Sequence, residues 1–252
     1  MKLSLNDISV RFGGFKAVDG VSLAIEPGTL VGIIGPNGAG KSTLFSMVTG
    51  FLQNGEGTVL LGDADISREA PFDRARHGMV RTFQVPREFA HLTVRENLMA
   101  AAPGQSGENL VDLFFRPGRV RAEEEAIRRE AEETIDFLKL RAVADTSAGR
   151  LSGGQKKLLE LGRALMTKPK LILLDEPFAG VNPVLIEALS GHIRALNRRG
   201  IGFVIIEHDL SALSRLVSVL HVMDQGRLLA SGTPAEVLAR KDVREAYLGG
   251  AA

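Results

Sequence analysis

The apolar run Leu30-Val31-Gly32-Ile33-Ile34 leads without a break into Gly35-Pro36-Asn37-Gly38-Ala39-Gly40-Lys41-Ser42-Thr43, and then into Leu44-Phe45-Ser46-Met47-Val48. This is strand, glycine-rich loop and helix, a combination that commits the chain to an α/β fold with a phosphate-binding loop at a strand end. Backbone N–H groups can surround a polyphosphate only where no Cβ blocks close approach, which is the use of Gly38 and Gly40. The loop residues Asn37, Gly38, Ala39, Gly40, Lys41, Ser42 and Thr43 are therefore expected to cradle phosphates. The helix that begins near Lys41 turns its unpaired N–H groups and positive dipole end toward them. Lys41 is expected to reach the β- and γ-phosphates, and the Ser42 hydroxyl to be a Mg²⁺ ligand.

Around this centre the chain alternates strands and helices. Leu3, Leu5, Ile8 and Val10 are spaced for one strand, and Val21, Leu23 and Ile25 for the next. Met79–Phe83 reads as a strand ending at Gln84. From Val85 the character changes: prolines and glycines break the chain, and Arg121–Leu138 follows as an amphipathic helix. The expected division is a nucleotide-binding α/β core over 1–84 and 169–252, with a mostly helical segment over 85–168. Beyond it, Leu171-Ile172-Leu173-Leu174 and Ile201–Ile206 lack polar alternation, as strands buried on both faces do. A single helix is expected over Pro234–Leu248.

Composition excludes several classes. With 252 residues, 44% hydrophobic and 24% charged, the chain is an ordinary globular one, and a net charge of +1 gives no field for nucleic acid. It has no cysteine, which rules out disulfides and thiolate metal sites. No apolar run approaches the ~20 residues that span a bilayer, so dealings with a membrane are expected to go through a partner.

The two buried strands deliver acids at the edge where open parallel sheets bind ligands. Asp175 is expected to hold Mg²⁺ through water, and Glu176 to polarise the attacking water. Gln84, at its own strand end, is a candidate neutral Mg²⁺ ligand and γ-phosphate sensor. Among the five histidines, His208 in Glu207-His208-Asp209 stands at the same edge, whereas His221 reads as a satisfied core residue. Phe12, on the loop Arg11-Phe12-Gly13-Gly14, reads from position alone as a half-buried core ring. A second helix start, Leu151-Ser152-Gly153-Gly154-Gln155, is also built for phosphate, with Ser152 as a natural N-cap. One triphosphate cannot lie fully on both starts of one subunit, so a head-to-tail dimer is the simplest arrangement.

These motifs together resemble the ATP-binding subunits of ATP-binding-cassette (ABC) transporters over essentially the whole chain. The matching stretches are the loop Gly35–Thr43, Gln84, the signature Leu151–Gln155, the strand Leu171–Glu176, the 178–182 D-loop and His208. The resemblance implies a single ABC ATP-binding domain: a P-loop NTPase core with N-terminal antiparallel strands and a helical inserted subdomain. It implies that Phe12 stacks on adenine, that Val18 lies near the ribose, and that Ser152 and Gly154 contact the γ-phosphate in the opposite subunit. Asn182 stands where most D-loops carry Asp, keeping a hydrogen bond across the dimer without the charge. The implied cofactors are ATP and Mg²⁺. The implied partners are a second ATPase subunit and transmembrane permeases, with no nucleic acid and no direct membrane insertion. The implied location is the cytoplasmic face of the plasma membrane.

Arg81-Thr82-Phe83-Gln84, Phe178–Pro183, Ile206–Asp209 and Glu245–Gly249 further resemble the longer ATPase subunit of branched-chain amino-acid uptake transporters. Urea and amide uptake ATPases and the lipopolysaccharide-export ATPase are close alternatives. A soluble ABC ATPase acting on ribosomes or nucleic acid is a further one, but the coiled coils, zinc-binding cysteines or paired cassettes of that class are lacking.

Overall fold

A computed structural model of the chain describes residues 1–53, 55–82 and 87–248. Gln84, the expected γ-phosphate sensor, lies outside the described residues, as do Phe83, Val85 and Pro86. The chain divides into two compact units, one of Met1–Gln84, Lys170–Ala179 and Ile186–Ala252, the other of Val85–Pro169 and Gly180–Leu185. The short segment 180–185, assigned by sequence to the core, thus groups with the helical unit.

The first unit holds two sheets. In chain order its elements are β1 (Leu3–Phe12), β2 (Phe15–Ile25), β3 (Leu30–Ile34), α1 (Lys41–Val48), β4 (Glu56–Leu61), β5 (Ala64–Asp65), α2 (Pro71–Arg76) and β6 (Met79–Arg81). The second unit contributes α3 (Val94–Met99), α4 (Leu110–Phe115), α5 (Pro117–Phe137) and α6 (Gly153–Met166). The first unit resumes with β7 (Leu171–Asp175), most of α7 (Pro183–Arg198), β8 (Gly202–Ile206), α8 (Leu210–Leu216), β9 (Val219–Asp224), β10 (Arg227–Gly232), α9 (Pro234–Ala239) and α10 (Lys241–Leu248). Among the described residues one sheet runs β10-β9-β3-β8-β7-β6 and the other β2-β1-β4-β5.

In the larger sheet β3 pairs in parallel with both β8 and β9, and β7 pairs in parallel with β6 and β8. Every residue of β3, β7 and β8 is buried, which is why these strands read as unbroken apolar runs. Their C-terminal ends deliver Gly35, Glu176 and Glu207 to one edge. The smaller sheet is antiparallel and packs Leu3, Leu5, Ile8 and Val59 into a core shared with Phe45 and Met47 of α1. The loop helix is thereby held from beneath by apolar contact.

The C-terminal segment is two helices, not the single one expected. Arg240 is extended (φ −67°, ψ 137°) between α9 and α10, and its guanidinium bonds both carboxylate oxygens of Asp242, at 3.0 and 2.5 Å. His221 is buried as expected, but neither ring nitrogen has a hydrogen-bond partner among the described residues. Burial lowers its pKa, which keeps the ring neutral.

Candidate nucleotide site

The loop after β3 carries the conformations its glycines foretell. Gly38 has φ +80° in open space, so conformation alone calls for glycine there. Gly40, at φ +95°, caps α1, and a Cβ on it would lie 2.3 Å from the Ala17 carbonyl oxygen. Lys41 is buried and donates to the Gly35 and Pro36 carbonyls at 2.7 and 2.9 Å. Burial lowers its pKa, against an upward pull from Glu176 and Asp175. A cleft of about 340 Å³ runs from this loop, Asn37 to Thr43, to Glu176 and His208 on one side and to Phe12 and Phe15 on another.

Phe12 is 54% exposed and Phe15 62%, so the core reading of Phe12 fails. The two are direct cross-strand partners over the Gly13-Gly14 turn, which places both rings on one face of the hairpin. Val18, expected near the ribose, is instead fully buried in the core. The register explains the correction: Val10 faces Val18 and Arg11 faces Lys16, leaving Ala17 as an extra residue. That bulge turns Ala17 to the cleft and Val18 inward.

Asp175 ends β7 in the buried sheet. Its carboxylate lies 2.7 Å from Arg81 Nη2, and the same guanidinium donates to Ser46 Oγ of α1 at 3.0 Å. Arg81 therefore ties the acid to the loop helix, a link the sequence did not suggest. Glu176 has φ +49°, a left-handed backbone costly for a residue with a Cβ. The N–H of Glu176 donates to the Ile206 carbonyl at 2.9 Å, and Oε1 lies 2.7 Å from His208 Nε2. Behind them Glu207 is buried, with Oε1 accepting from the Phe178 N–H at 2.5 Å and Oε2 from the His208 N–H at 3.0 Å. Burial pushes the Glu207 carboxyl above its ordinary pKa, although the Phe178, His208 and Asp209 N–H groups pull it down.

In the helical unit Ser152 caps α6 as expected: its hydroxyl accepts from Gln155 N–H, and Gln155 Oε1 accepts from Ser152 N–H at 2.9 Å. A Cβ on Gly154 would lie 1.8 Å from Leu185 Cδ2, so any larger residue would have to displace that side chain. The Asn182 side chain caps α7 by accepting from the Leu185 N–H at 2.9 Å. A larger groove of about 710 Å³ lies along α5, lined by arginines and glutamates with Met99, and gathers no comparable chemistry.

A glycine-rich loop at a parallel strand end, facing an acid pair and a histidine, defines a P-loop nucleotide-binding protein. Comparison with known proteins takes this further. The sequence matches the ABC transporter family over residues 18–179, and the branched-chain amino acid ATP-binding cassette transporter family over residues 227–252. It is 44% identical, over 98% of this chain and 97% of the relative, to the probable branched-chain amino acid transport ATP-binding protein LivG of Methanocaldococcus jannaschii. It is 39% identical to the high-affinity branched-chain amino acid transport ATP-binding protein BraF of Pseudomonas aeruginosa, over 98% and 97% of the two chains. Among solved structures it superposes on a nucleotide-free ATP-binding cassette from an ABC transporter with TM-score 0.85 and 42% identity, covering 98% and 99% of the chains. A cassette in its ADP conformation gives TM-score 0.84 at 42% identity, covering 99% of both chains. The chain belongs to the ABC transporter family, as an ATP-binding subunit whose ATPase activity is coupled to transport.

Proposed function

We propose that the chain is the ATP-hydrolysing motor of an importer for branched-chain amino acids or similar small solutes. The observation that carries the chemistry is the convergence of Lys41, Glu176 and His208 on one cleft. The match of residues 227–252 to the branched-chain group, together with the names of the relatives, supports the solute class. Asn37 to Thr43 cradle the phosphates, and Lys41 neutralises them. Glu176 takes the proton of the attacking water, with His208 holding the water and γ-phosphate in line. Mg²⁺ would be held by Ser42, which lines the cleft, with Gln84 as a neutral ligand and Asp175, paired with Arg81 at 2.7 Å, acting through water. These hard oxygen donors suit the ion, and no group of three acids or histidines among the described residues makes a site without the phosphates. When bound, the ion neutralises charge between the β- and γ-phosphates.

Ser152 and Gly154 of one subunit cover the nucleotide of a second, homologous subunit, and Asn182 serves the same interface while capping its own helix. No helix among the described residues is long and apolar enough to cross a membrane. In this reading the motor sits on the cytoplasmic side of permease subunits that carry the solute path. Co-purification of the chain with polytopic subunits, and solute-stimulated ATPase in the reconstituted complex, tests this reading. Recovery with ribosomes or nucleic acid instead would overturn it.

Phe12 offers the base a flat apolar face, and stacking measured by alanine substitution at nucleic-acid sites is worth ~1–3 kcal/mol. Phe12→Ala should therefore weaken ATP binding by about 5- to 150-fold, and Phe12→Tyr or Trp should change little. Titration of a fluorescent ATP analogue checks this, and equal affinities would remove Phe12 from the site. GTP should bind within about tenfold of ATP, because stacking does not read the base edge.

In this reading Phe89 and Leu92, exposed apolar residues in the segment that follows Gln84, help to receive the permease subunits. Phe89 is half exposed beneath the Arg163 guanidinium, 4.8 Å from its ring centre. Its loop is shaped by the fully buried Asn97, which accepts from the Phe89 N–H at 2.8 Å and donates to the Phe89, Leu92 and Thr93 carbonyls. Phe89→Ala should uncouple solute uptake from ATP turnover in proteoliposomes while basal ATPase persists. Loss of folding in that variant would assign the ring to internal packing.

A further inference from the structure

Glu207 is 3% exposed, an unfavourable place for a carboxylate unless its charge is fully used. Its two oxygens accept from backbone donors at two different strand ends. Oε1 takes the N–H of Phe178, two residues beyond Glu176, and Oε2 takes the N–H of His208. The clamp therefore joins the turn that carries the left-handed Glu176 to the start of the segment that carries His208. On the far side Asp209 fixes that segment by capping α8, accepting from the Ala212 N–H at 3.0 Å. Between these two fixed points the His208 ring meets Glu176 Oε1 at 2.7 Å.

We infer that Glu207 is a positioning residue of the hydrolytic centre, whose buried carboxylate sets the separation and orientation of Glu176 and His208. The inference rests on the roles given to those two residues above. Only a carboxylate serves, because it is acceptor-only at both oxygens. An amide in its place would set an NH₂ group against one of the two N–H donors, so one anchor would be lost and the other kept.

The test compares Glu207→Gln with Glu207→Asp and with Glu176→Gln in the full chain. Glu207→Gln should lower kcat about ten- to hundredfold, the scale of loss that misplaced reacting groups produce. Affinity for a fluorescent ATP analogue should stay within about twofold, because Lys41 and the loop amides, which carry the phosphate binding, do not move. Hydrogen exchange should quicken roughly tenfold or more at one of the two amides, Phe178 or His208, whichever faces the NH₂ group, and not in α1 or β3. Glu207→Asp keeps the charge but is too short for both anchors, so it should show the same split and carries the test if the glutamine variant does not fold. An unchanged kcat, or kcat and affinity falling together with the melting temperature, would overturn the proposal. Glu176→Gln separates the two levels. If that variant retains turnover, the reading of the site itself fails; if it is inactive while Glu207→Gln is not, only the role of Glu207 fails.

Discussion

Glu176→Gln is expected to bind ATP with nearly unchanged affinity and to lose turnover by about two to four orders of magnitude, the contribution of a positioned general base. The amide matches the carboxylate in shape, and its oxygen can still meet His208 Nε2, so the left-handed turn at φ +49° and the 2.7 Å contact need not be rebuilt. What disappears is the capacity to accept the proton of water. Lys41 and the loop amides are untouched, so the γ-phosphate stays bound and a subunit pair closed on ATP should accumulate. Phosphate release measured beside size-exclusion chromatography with ATP reads both effects. Turnover above about a tenth of the parent's would show that Glu176 is not the base. A variant that binds ATP and remains strictly monomeric would count against the closed pair.

Arg74→Met is expected to destabilise the fold by about 3–5 kcal/mol, as large as removing one partner of a buried charged network. Arg74 is 1% exposed and gives its guanidinium to main-chain oxygens: Met47 and Val48 at 2.8 and 2.6 Å, and Glu69 and Ser67 at 3.0 Å each. Met47 and Val48 are the last residues of α1, whose final carbonyls have no partner within the helix and whose dipole end is negative. Burial lowers the arginine's pKa, and Glu69 and Asp65 partly restore it. Methionine fills the volume and supplies no donor, so the Val48, Ser67 and Glu69 carbonyls lose theirs and Met47 keeps only the Gly50 N–H at 3.2 Å. For a chain of this size the loss corresponds to a melting temperature lower by roughly 6–20 °C, and Arg74→Lys should fall between. Because α1 presents the phosphate loop, ATP affinity should drop with stability, and saturating ATP should recover part of it. A shift below about 3 °C would show that the carbonyls find other donors.

Why Arg74 was not foreseen marks where reading a sequence stops. An arginine in a short polar helix looks like a solvated face, and the carbonyls that bury it come from 26 and 27 residues earlier. The same holds for Arg81, whose partner Asp175 is 94 residues away. By contrast β3, β7 and β8 were plain, because strands covered on both faces need unbroken apolar runs, and the acids follow them directly. Phe15 was within reach: two phenylalanines across a two-glycine turn must share a face. Val18 was not, since one extra residue at Ala17 reverses the alternation and no local residue type announces it. The break at Arg240 escaped for a related reason: no proline or glycine marks it, and what accompanies it is an ion pair with Asp242.

The tether of Lys41 to the Gly35 and Pro36 carbonyls bears on how hard the site must work each time it fills. A lysine free in solvent surrenders up to ~2 kcal/mol of rotamer entropy when it is stilled. Here two of its three N–H groups are already engaged by the loop, so that loss belongs to folding and is not repeated at each encounter with a phosphate. The third N–H remains to be shared. A charge held in waiting in this way lets a motor take up and release nucleotide through many cycles without reordering the side chain on which the charge is carried.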